Sequence, residues 1–146
     1  MSGAAAHSLV RRLGKVPIFS QLDDRSLLRV LGASANLVWT DGRDVFRAGD
    51  PAEALYIVIS GGVAIIDGDR HVIDVPEDGW FGEMSLLHPD ARHTKTARAK
   101  GETELMVIRR EWFEAMLESE TELAAHFRRA LEERGAGPQA DEVSAG

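Results

Sequence analysis

The sequence predicts a mainly β protein, an antiparallel sandwich or barrel with helices before and after it. Between about residues 35 and 108, short β-branched and aromatic runs alternate with turns rich in glycine and aspartate, a pattern typical of antiparallel strands. On both sides of this region, apolar residues recur at three- and four-residue spacing, which indicates amphipathic helices. The predicted order is therefore N-terminal helices, β-structure and two C-terminal helices.

Two N-terminal helices are predicted from apolar spacing and from the residues at their ends. A short helix within residues 8–16 should stop before Pro17, and its apolar residues are Leu9, Val10, Leu13 and Val16. Asp23 can cap a second helix that ends at Gly32. The core-facing side chains of that helix are expected to be Leu27, Leu28 and Leu31.

The β region divides into short strands. They are predicted at residues 37–39, 44–46, 55–59, 63–66, 71–75, 94–99 and 104–108. The segments between the first of them contain Asp-Gly, Gly-Asp-Pro and Gly-Gly steps, which favour tight turns over continued strands.

Helical spacing returns at Arg109. One helix presents Trp112, Phe113, Met116 and Leu117, and the next presents Leu123, Phe127, Ala130 and Leu131. Ser119 and Glu122 have the spacing of a capping box at the start of the second helix. Residues 135–146 have no period and are expected to form a disordered tail. The expected division is an N-terminal segment at residues 1–15, one domain at residues 16–134, and this tail.

Composition limits the classes of function. The chain has 146 residues, no cysteine and a net charge of −7, so disulfides and thiolate metal sites are excluded. The acidic balance opposes binding to nucleic acid or to anionic membrane. No apolar run approaches the length of a membrane span, and the first residues lack the features of a secretory signal. We therefore expect a cytoplasmic protein with neither membrane nor nucleic acid as a partner.

Residues 79–87 carry the candidate site. Their sequence, Gly-Trp-Phe-Gly-Glu-Met-Ser-Leu-Leu, suits a strand that turns on glycine and opens a helix of one or two turns. The first amides of such a helix can receive a phosphate. Glu83 would then accept from a neutral hydroxyl beside that anion, such as a ribose hydroxyl. The competing interpretation is an ordinary turn between a strand and a helix.

In the order of their motifs, residues 16–132 resemble the cyclic nucleotide-binding domains. Val-Pro-Ile-Phe at 16–19 is similar to the family's entry segment, and residues 46–61 are similar to its glycine turn and long strand. Residues 79–87 resemble the start of its phosphate-binding cassette. The resemblance implies a jelly-roll barrel, a double-stranded β-helix. It also implies a cyclic nucleotide ligand held by Phe81, Gly82, Glu83, Met84 and Ser85, with Glu83 accepting from the ribose 2′-hydroxyl.

The match departs from the family where the cassette expects an arginine. Both Arg92 and His93 lie at a suitable distance after Glu83. The strand frame favours His93 at the arginine position, since a shift by one residue would move every later side chain to the opposite face. A bulge could instead bring Arg92 into the pocket. Thr94 follows where the family often has a small hydroxyl residue, and Lys95 shares the parity of His93 and is either a substitute cation or a surface lysine.

These features favour a regulatory sensor that binds cAMP or cGMP and performs no chemistry on it, with no cofactor. The signal would pass through movement of the last helix to an unknown protein partner, or through a homodimer formed by that helix. The alternative is a fold that has lost its ligand and acts in protein interaction. A metalloenzyme of the cupin type is disfavoured because the five histidines do not form a His-x-His ligand pair.

Overall fold

The computed structural model describes residues 3–86 and 88–134. Helix α1 (Gly3–Gly14), a 3-10 helix at Pro17–Phe19 and helix α2 (Asp24–Leu31) form the N-terminal layer. The carboxylate of Asp23 accepts from the amide of Ser26 at 2.8 Å, which confirms the predicted cap of α2 and holds the pKa of Asp23 below its ordinary value. Helix α1 begins earlier than the sequence predicted and ends three residues before Pro17.

Two four-stranded antiparallel sheets form the body of the domain. The first sheet has the order β1-β8-β3-β6 and the second has the order β2-β7-β4-β5. The strands are β1 (Ser34–Trp39), β2 (Asp44–Phe46), β3 (Ala54–Ser60), β4 (Val63–Asp67), β5 (Arg70–Val75), β6 (Trp80–Phe81), β7 (Thr96–Ala99) and β8 (Thr103–Arg109). The fold class predicted from the sequence, antiparallel β-structure with flanking helices, is confirmed.

The first sheet separates two apolar cores. In β3, Leu55 and Ile57 face the helices, whereas Ala54 and Val58 face the second sheet. Strand β8 alternates in the same way because successive side chains of a strand point to opposite faces. Leu9, Val10 and Leu13 of α1 belong to the helical core, so the N-terminal segment packs with the rest of the domain.

Helices α3 (Arg110–Leu117) and α4 (Thr121–Arg134) close the helical layer. Phe127 of α4 contacts Phe19 at 5.6 Å and Phe113 at 4.7 Å between ring centroids, both edge to face. His126 Nε2 lies 3.0 Å from the carbonyl oxygen of Ile18, and an ion pair joins Arg29 of α2 to Glu120. Helix α4 therefore rests on both the N-terminal layer and α3.

Three local predictions were wrong. Leu28 is half exposed, at 50%, and Val30 is buried in its place, since the packing of α2 on α1 turns a different stripe inward. Ser119 does not open a capping box: its hydroxyl donates to Met116 O at 3.1 Å, and the first bond of α4 is accepted by Glu120. The strand predicted from residue 94 begins at Thr96.

Some predictions fall outside what the structure describes: the tail at residues 135–146, Leu87, and the side chains of Met84, Ala130 and Leu131. Within the described ranges, none of the helices has the length and apolar character that a membrane crossing requires.

Candidate functional site

A glycine turn and a short helix follow strand β6, as the sequence predicted. Strand β6 pairs with β3 and brings Phe81 opposite Tyr56. Gly82 follows with φ of +78°, and a Cβ at this position would lie 2.7 Å from the carbonyl oxygen of Ala54. Only glycine fits that conformation and that approach without strain. The 3-10 helix Glu83–Leu86, the cassette helix, then begins, with Met84 at its second position.

Buried polar side chains concentrate around this helix. Among the described residues, four polar or charged side chains are buried: Glu83, Ser85, His93 and Thr103. Thr103 has a structural role, because its hydroxyl donates to Gly62 O at 2.9 Å on the β3–β4 turn. The other three belong to the cassette helix and to the segment before β7. Charged and polar side chains are seldom fully buried, so this concentration marks the region as a candidate site.

Ser85 gives the clearest local indication of a ligand site. Its side chain is fully buried, and within the described part of the chain its Oγ has no hydrogen-bond partner. Its backbone is well anchored, since the amide donates to Gly82 O at 2.9 Å and the carbonyl accepts from Arg110 at 3.0 Å. A rigidly held, buried hydroxyl with spare hydrogen-bonding capacity suits a polar ligand atom.

His93 points into the domain and Arg92 points out of it. The His93 side chain is 3% exposed and stacks on Phe46, with ring centroids 3.4 Å apart. Its backbone is fixed on both sides, because its amide donates to Asp50 O at 2.9 Å and its carbonyl accepts from Gly49 N at 2.7 Å. Arg92 is exposed, and its Nη1 donates to Gly49 O at 2.9 Å. The inward orientation of His93 and the outward orientation of Arg92 agree with the predicted strand frame. The ligand roles of both residues stay predictions.

The next two side chains lie nearer the surface. Thr94 is exposed and Lys95 is half buried. Lys95 Nζ donates to Thr94 Oγ1 at 3.4 Å. Lys95 thus follows the inward parity of His93, Ala97 and Ala99 without being enclosed as they are.

Aromatic rings link the cassette helix to His93. Phe46 contacts Phe81 at 5.8 Å on one side and His93 on the other, so its ring joins the two halves of the predicted site. Tyr56 stacks on Phe81 at 5.0 Å with an interplanar angle of 12°. Burial raises the pKa of Tyr56 to about 12, so its phenol stays neutral at physiological pH.

Arg110 is a residue that the sequence did not single out. From the first position of α3, its Nη1 donates to Ser85 O at 3.0 Å and to Ala52 O at 2.8 Å. It therefore ties the end of the cassette helix directly to the C-terminal helices. Its partners Ser85 and Ala52 lie 25 and 58 residues away in the chain. Local sequence patterns do not predict contacts at such separations.

Comparison with known proteins identifies this arrangement. The family model described as "Cyclic nucleotide-binding domain" matches residues 37–120, more than half of the chain. The chain belongs to the cyclic nucleotide-binding domain family. The match spans both sheets, the cassette helix and α3, so it includes every element that forms the candidate site.

Curated relatives in this family are longer than this chain. A cyclic nucleotide-gated potassium channel of Rhizobium etli is 28% identical over 85% of this chain, which spans 35% of the channel. A CRP-like protein, Clp, of Xanthomonas campestris is 39% identical over 60% of this chain, which spans 40% of that protein. The chain thus matches only about two fifths or less of these curated relatives.

Solved structures share the fold over most of the chain. The N-terminal domain of a transcriptional regulator from Streptomyces coelicolor has a TM-score of 0.75 at 26% identity, covering 84% of this chain and 91% of that one. The regulatory domain of Toxoplasma gondii PKA, crystallised with cAMP, has a TM-score of 0.70 at 30% identity and covers 80% of this chain and 46% of that one.

Within the described residues of this protein, no three potential metal-ligating side chains cluster.

Proposed function

We propose that this cyclic nucleotide-binding domain binds cAMP or cGMP at the cassette helix and acts as a regulatory sensor that performs no chemistry on the ligand. The observation that carries the proposal is the concentration of Glu83, Ser85 and His93 as buried polar side chains at the position of the family's cassette. Of these three, Ser85 has a hydroxyl with no hydrogen-bond partner within the described residues. A polar ligand atom would supply that partner.

The proposed roles follow the chemistry of each group. The Glu83 carboxylate accepts from a ribose hydroxyl, which is a neutral donor, and the Ser85 hydroxyl bonds an oxygen of the cyclic phosphate. Gly82 allows the backbone to approach that phosphate because it carries no side chain. His93 donates to the phosphate from the opposite side, where it is held by its stacking on Phe46. Phe81 positions the cassette through its contacts with Phe46 and Tyr56, while Arg92 and Thr94 lie at the exposed margin.

Arg110 supplies a route from the ligand to the C-terminal helices. Any shift of the cassette helix moves the carbonyl of Ser85, and Arg110 holds that carbonyl from the start of α3. Helix α4 follows α3 and packs through Phe127 on Phe113. Ligand binding would thereby alter the packing of α4, and we propose that a partner protein detects this change. A ligand can shift such an equilibrium only through its different affinity for the two arrangements.

The test is ligand-dependent stability of the purified chain. Thermal unfolding and calorimetry with cAMP, cGMP and cyclic dinucleotides should reveal one cyclic mononucleotide that stabilises the protein. At a ligand concentration about 100 times Kd, stabilisation of about 2.7 kcal/mol is expected, which corresponds to a rise in Tm on the order of 5–10 °C.

The matched variants are Glu83→Gln and Glu77→Gln. Both remove one charge from a glutamate, but Glu83 is buried in the cassette and Glu77 is exposed in the turn before it. Glu83→Gln should lower the affinity at least about tenfold, the cost of losing a charged acceptor, and Glu77→Gln should not change it. If no nucleotide stabilises the wild type at millimolar concentration, the sensor proposal fails. The histidine at the arginine position would then favour a ligand-free domain that binds other proteins.

A further inference from the structure

The two sheets leave four strand edges, and one of them differs from the others. Strands β6 and β2 form edges of two and three residues. Strand β5 is longer but carries Arg70, His71 and Asp74, and His71 lies 2.7 Å from Asp74. Strand β1 has six residues, Ser-Ala-Asn-Leu-Val-Trp, with neither charge nor proline.

Natural proteins protect free strand edges, since unpaired backbone groups recruit other strands. The usual devices are short length, charged side chains, proline, or a cover. Among the strands that the structure describes, β2 and β6 use length and β5 uses charge. Within residues 3–86 and 88–134, strand β1 shows none of these devices, so its edge is of the kind that a further strand covers.

Side-chain exposure along β1 points the same way. Leu37 is 45% exposed and Val38 is 60% exposed, and together they make up half of the large, exposed apolar side chains among the described residues. Leu37 lies opposite Leu105 of β8, whereas Val38 lies opposite Glu104. Because neighbouring side chains of a strand point to opposite faces, the apolar surface continues around the edge from one face to the other.

A groove extends this surface at the start of β1. It has a volume of about 720 Å³, and its lining combines apolar residues such as Ala35, Trp112 and Met116 with the ion pair of Arg29 and Glu120. A six-residue strand is only about 20 Å long, whereas stable interfaces bury about 1,200–2,000 Å² in total. The groove adds contact area, part of it apolar, that the strand alone lacks.

We propose that β1 pairs antiparallel with β1 of a second copy of this chain, which joins the two four-stranded sheets into one sheet of eight strands. A two-fold axis brings the same strand from each copy together. Antiparallel pairing of this uncharged strand with itself opposes no like charges, which would otherwise destabilise cross-strand pairs. A second copy also presents the same groove, so each chain can place its exposed β1 side chains beside the other chain's α3. The interface is separate from the cassette and does not depend on nucleotide binding.

The first test measures the mass of the full chain in solution. Sedimentation or light scattering from micromolar to near-millimolar concentration should give twice the chain mass of 16.0 kDa. Val38→Lys should weaken the dimerisation constant at least about tenfold, because it buries a lysine charge from each chain at the paired edge. Val72→Lys is the matched control: Val72 is 43% exposed on the charged edge strand β5, and its replacement should leave the dimer intact.

A second test does not depend on how well a lysine variant folds. The chain contains no cysteine, so Val38→Cys introduces a single thiol. A short bifunctional maleimide should link Val38→Cys chains into covalent dimers and should leave Val72→Cys chains monomeric. A wild type that stays monomeric at every concentration would overturn the proposal. So would a dimer that neither responds to Val38→Lys nor cross-links through residue 38, since another surface would then hold it.

Discussion

His93 lies three residues before β7, and its match to the family's arginine position stays a prediction. Its ring is enclosed by the domain and stacked on Phe46, whereas the guanidinium of Arg92 is held outside by the carbonyl of Gly49. Arginine offers a planar fork of five donors for a phosphate, whereas a histidine ring has only two nitrogens. In the proposed site, His93 therefore offers the phosphate fewer donors than arginine would.

This difference predicts a gain of affinity from one substitution. With the proposed ligand, His93→Arg should tighten binding by about 1–2 kcal/mol, the increment for a charged hydrogen-bond partner. Calorimetric titration measures the change. Arg92→Ala is the control and should leave affinity unchanged, since Arg92 points away from the site. A loss of affinity in Arg92→Ala combined with no gain in His93→Arg would show that Arg92, not His93, meets the phosphate.

At the scale of elements, the cassette helix depends on the turn that precedes it. Gly82 brings the chain against the Ala54 carbonyl of β3, while the turn before β6 is tied to α1 by Arg12, whose Nε lies 2.6 Å from Asp78 Oδ1. Asp78 itself has φ of +69°, a conformation that is uncommon for residues other than glycine. The short strand β6 is therefore held at both ends, and the position of Glu83 and Ser85 follows from that.

Substitutions at two glycines distinguish the energetic cost of a positive φ from the cost of a steric clash. Gly82 and Gly42 have similar φ values, +78° and +82°, but only Gly82 has an atom close to where a Cβ would lie. Gly42→Ala should cost about 1 kcal/mol of unfolding free energy for its positive φ, and Gly82→Ala should cost clearly more, on the order of 2–4 kcal/mol, because the cassette must move. Denaturant unfolding measures both. Equal losses in the two variants would refute the role of the close approach to Ala54.

At the scale of the whole molecule, the sequence predicted what depends on local pattern. Strand alternation, glycine turns and the Asp23 cap depend on neighbouring residues. The presence of the strands, the cassette turn and the inward-facing side chain of residue 93 were therefore predicted correctly, although β7 begins two residues later than predicted. The rotation of α2, which buries Val30 and exposes Leu28, depends on packing against α1. The link from Arg110 to Ser85 joins residues that only the folded chain brings together. Such contacts cannot be predicted from local sequence patterns.

Ion pairs also join residues that are distant in the chain, and Asp44 gives the clearest example. Strand β2 is three residues long, yet Asp44 accepts from Arg98 of β7 at 2.7 Å and from Arg47 at 3.0 Å. The hydrogen bond from Arg98 holds the pKa of Asp44 below its ordinary value of 3.8. This carboxylate thus helps to fasten a very short edge strand to the second sheet.

Asp44 should therefore stabilise the fold in a pH-dependent way. Because its folded-state pKa is lowered, its contribution is present above pH 3.8 and is lost as pH falls through the lower folded-state value. At neutral pH, Asp44→Asn should unfold more easily than wild type, by less than about 1 kcal/mol since the ion pairs are partly exposed. This difference in unfolding free energy between the variant and wild type, called the gap below, should disappear in acid. Urea unfolding at neutral pH and below pH 3.8 measures it, with Asp69→Asn, at an exposed turn position, as the variant expected to show no gap. A gap that persists unchanged in acid would mean that Asp44 acts through shape and hydrogen bonding that asparagine cannot reproduce, and not through its charge.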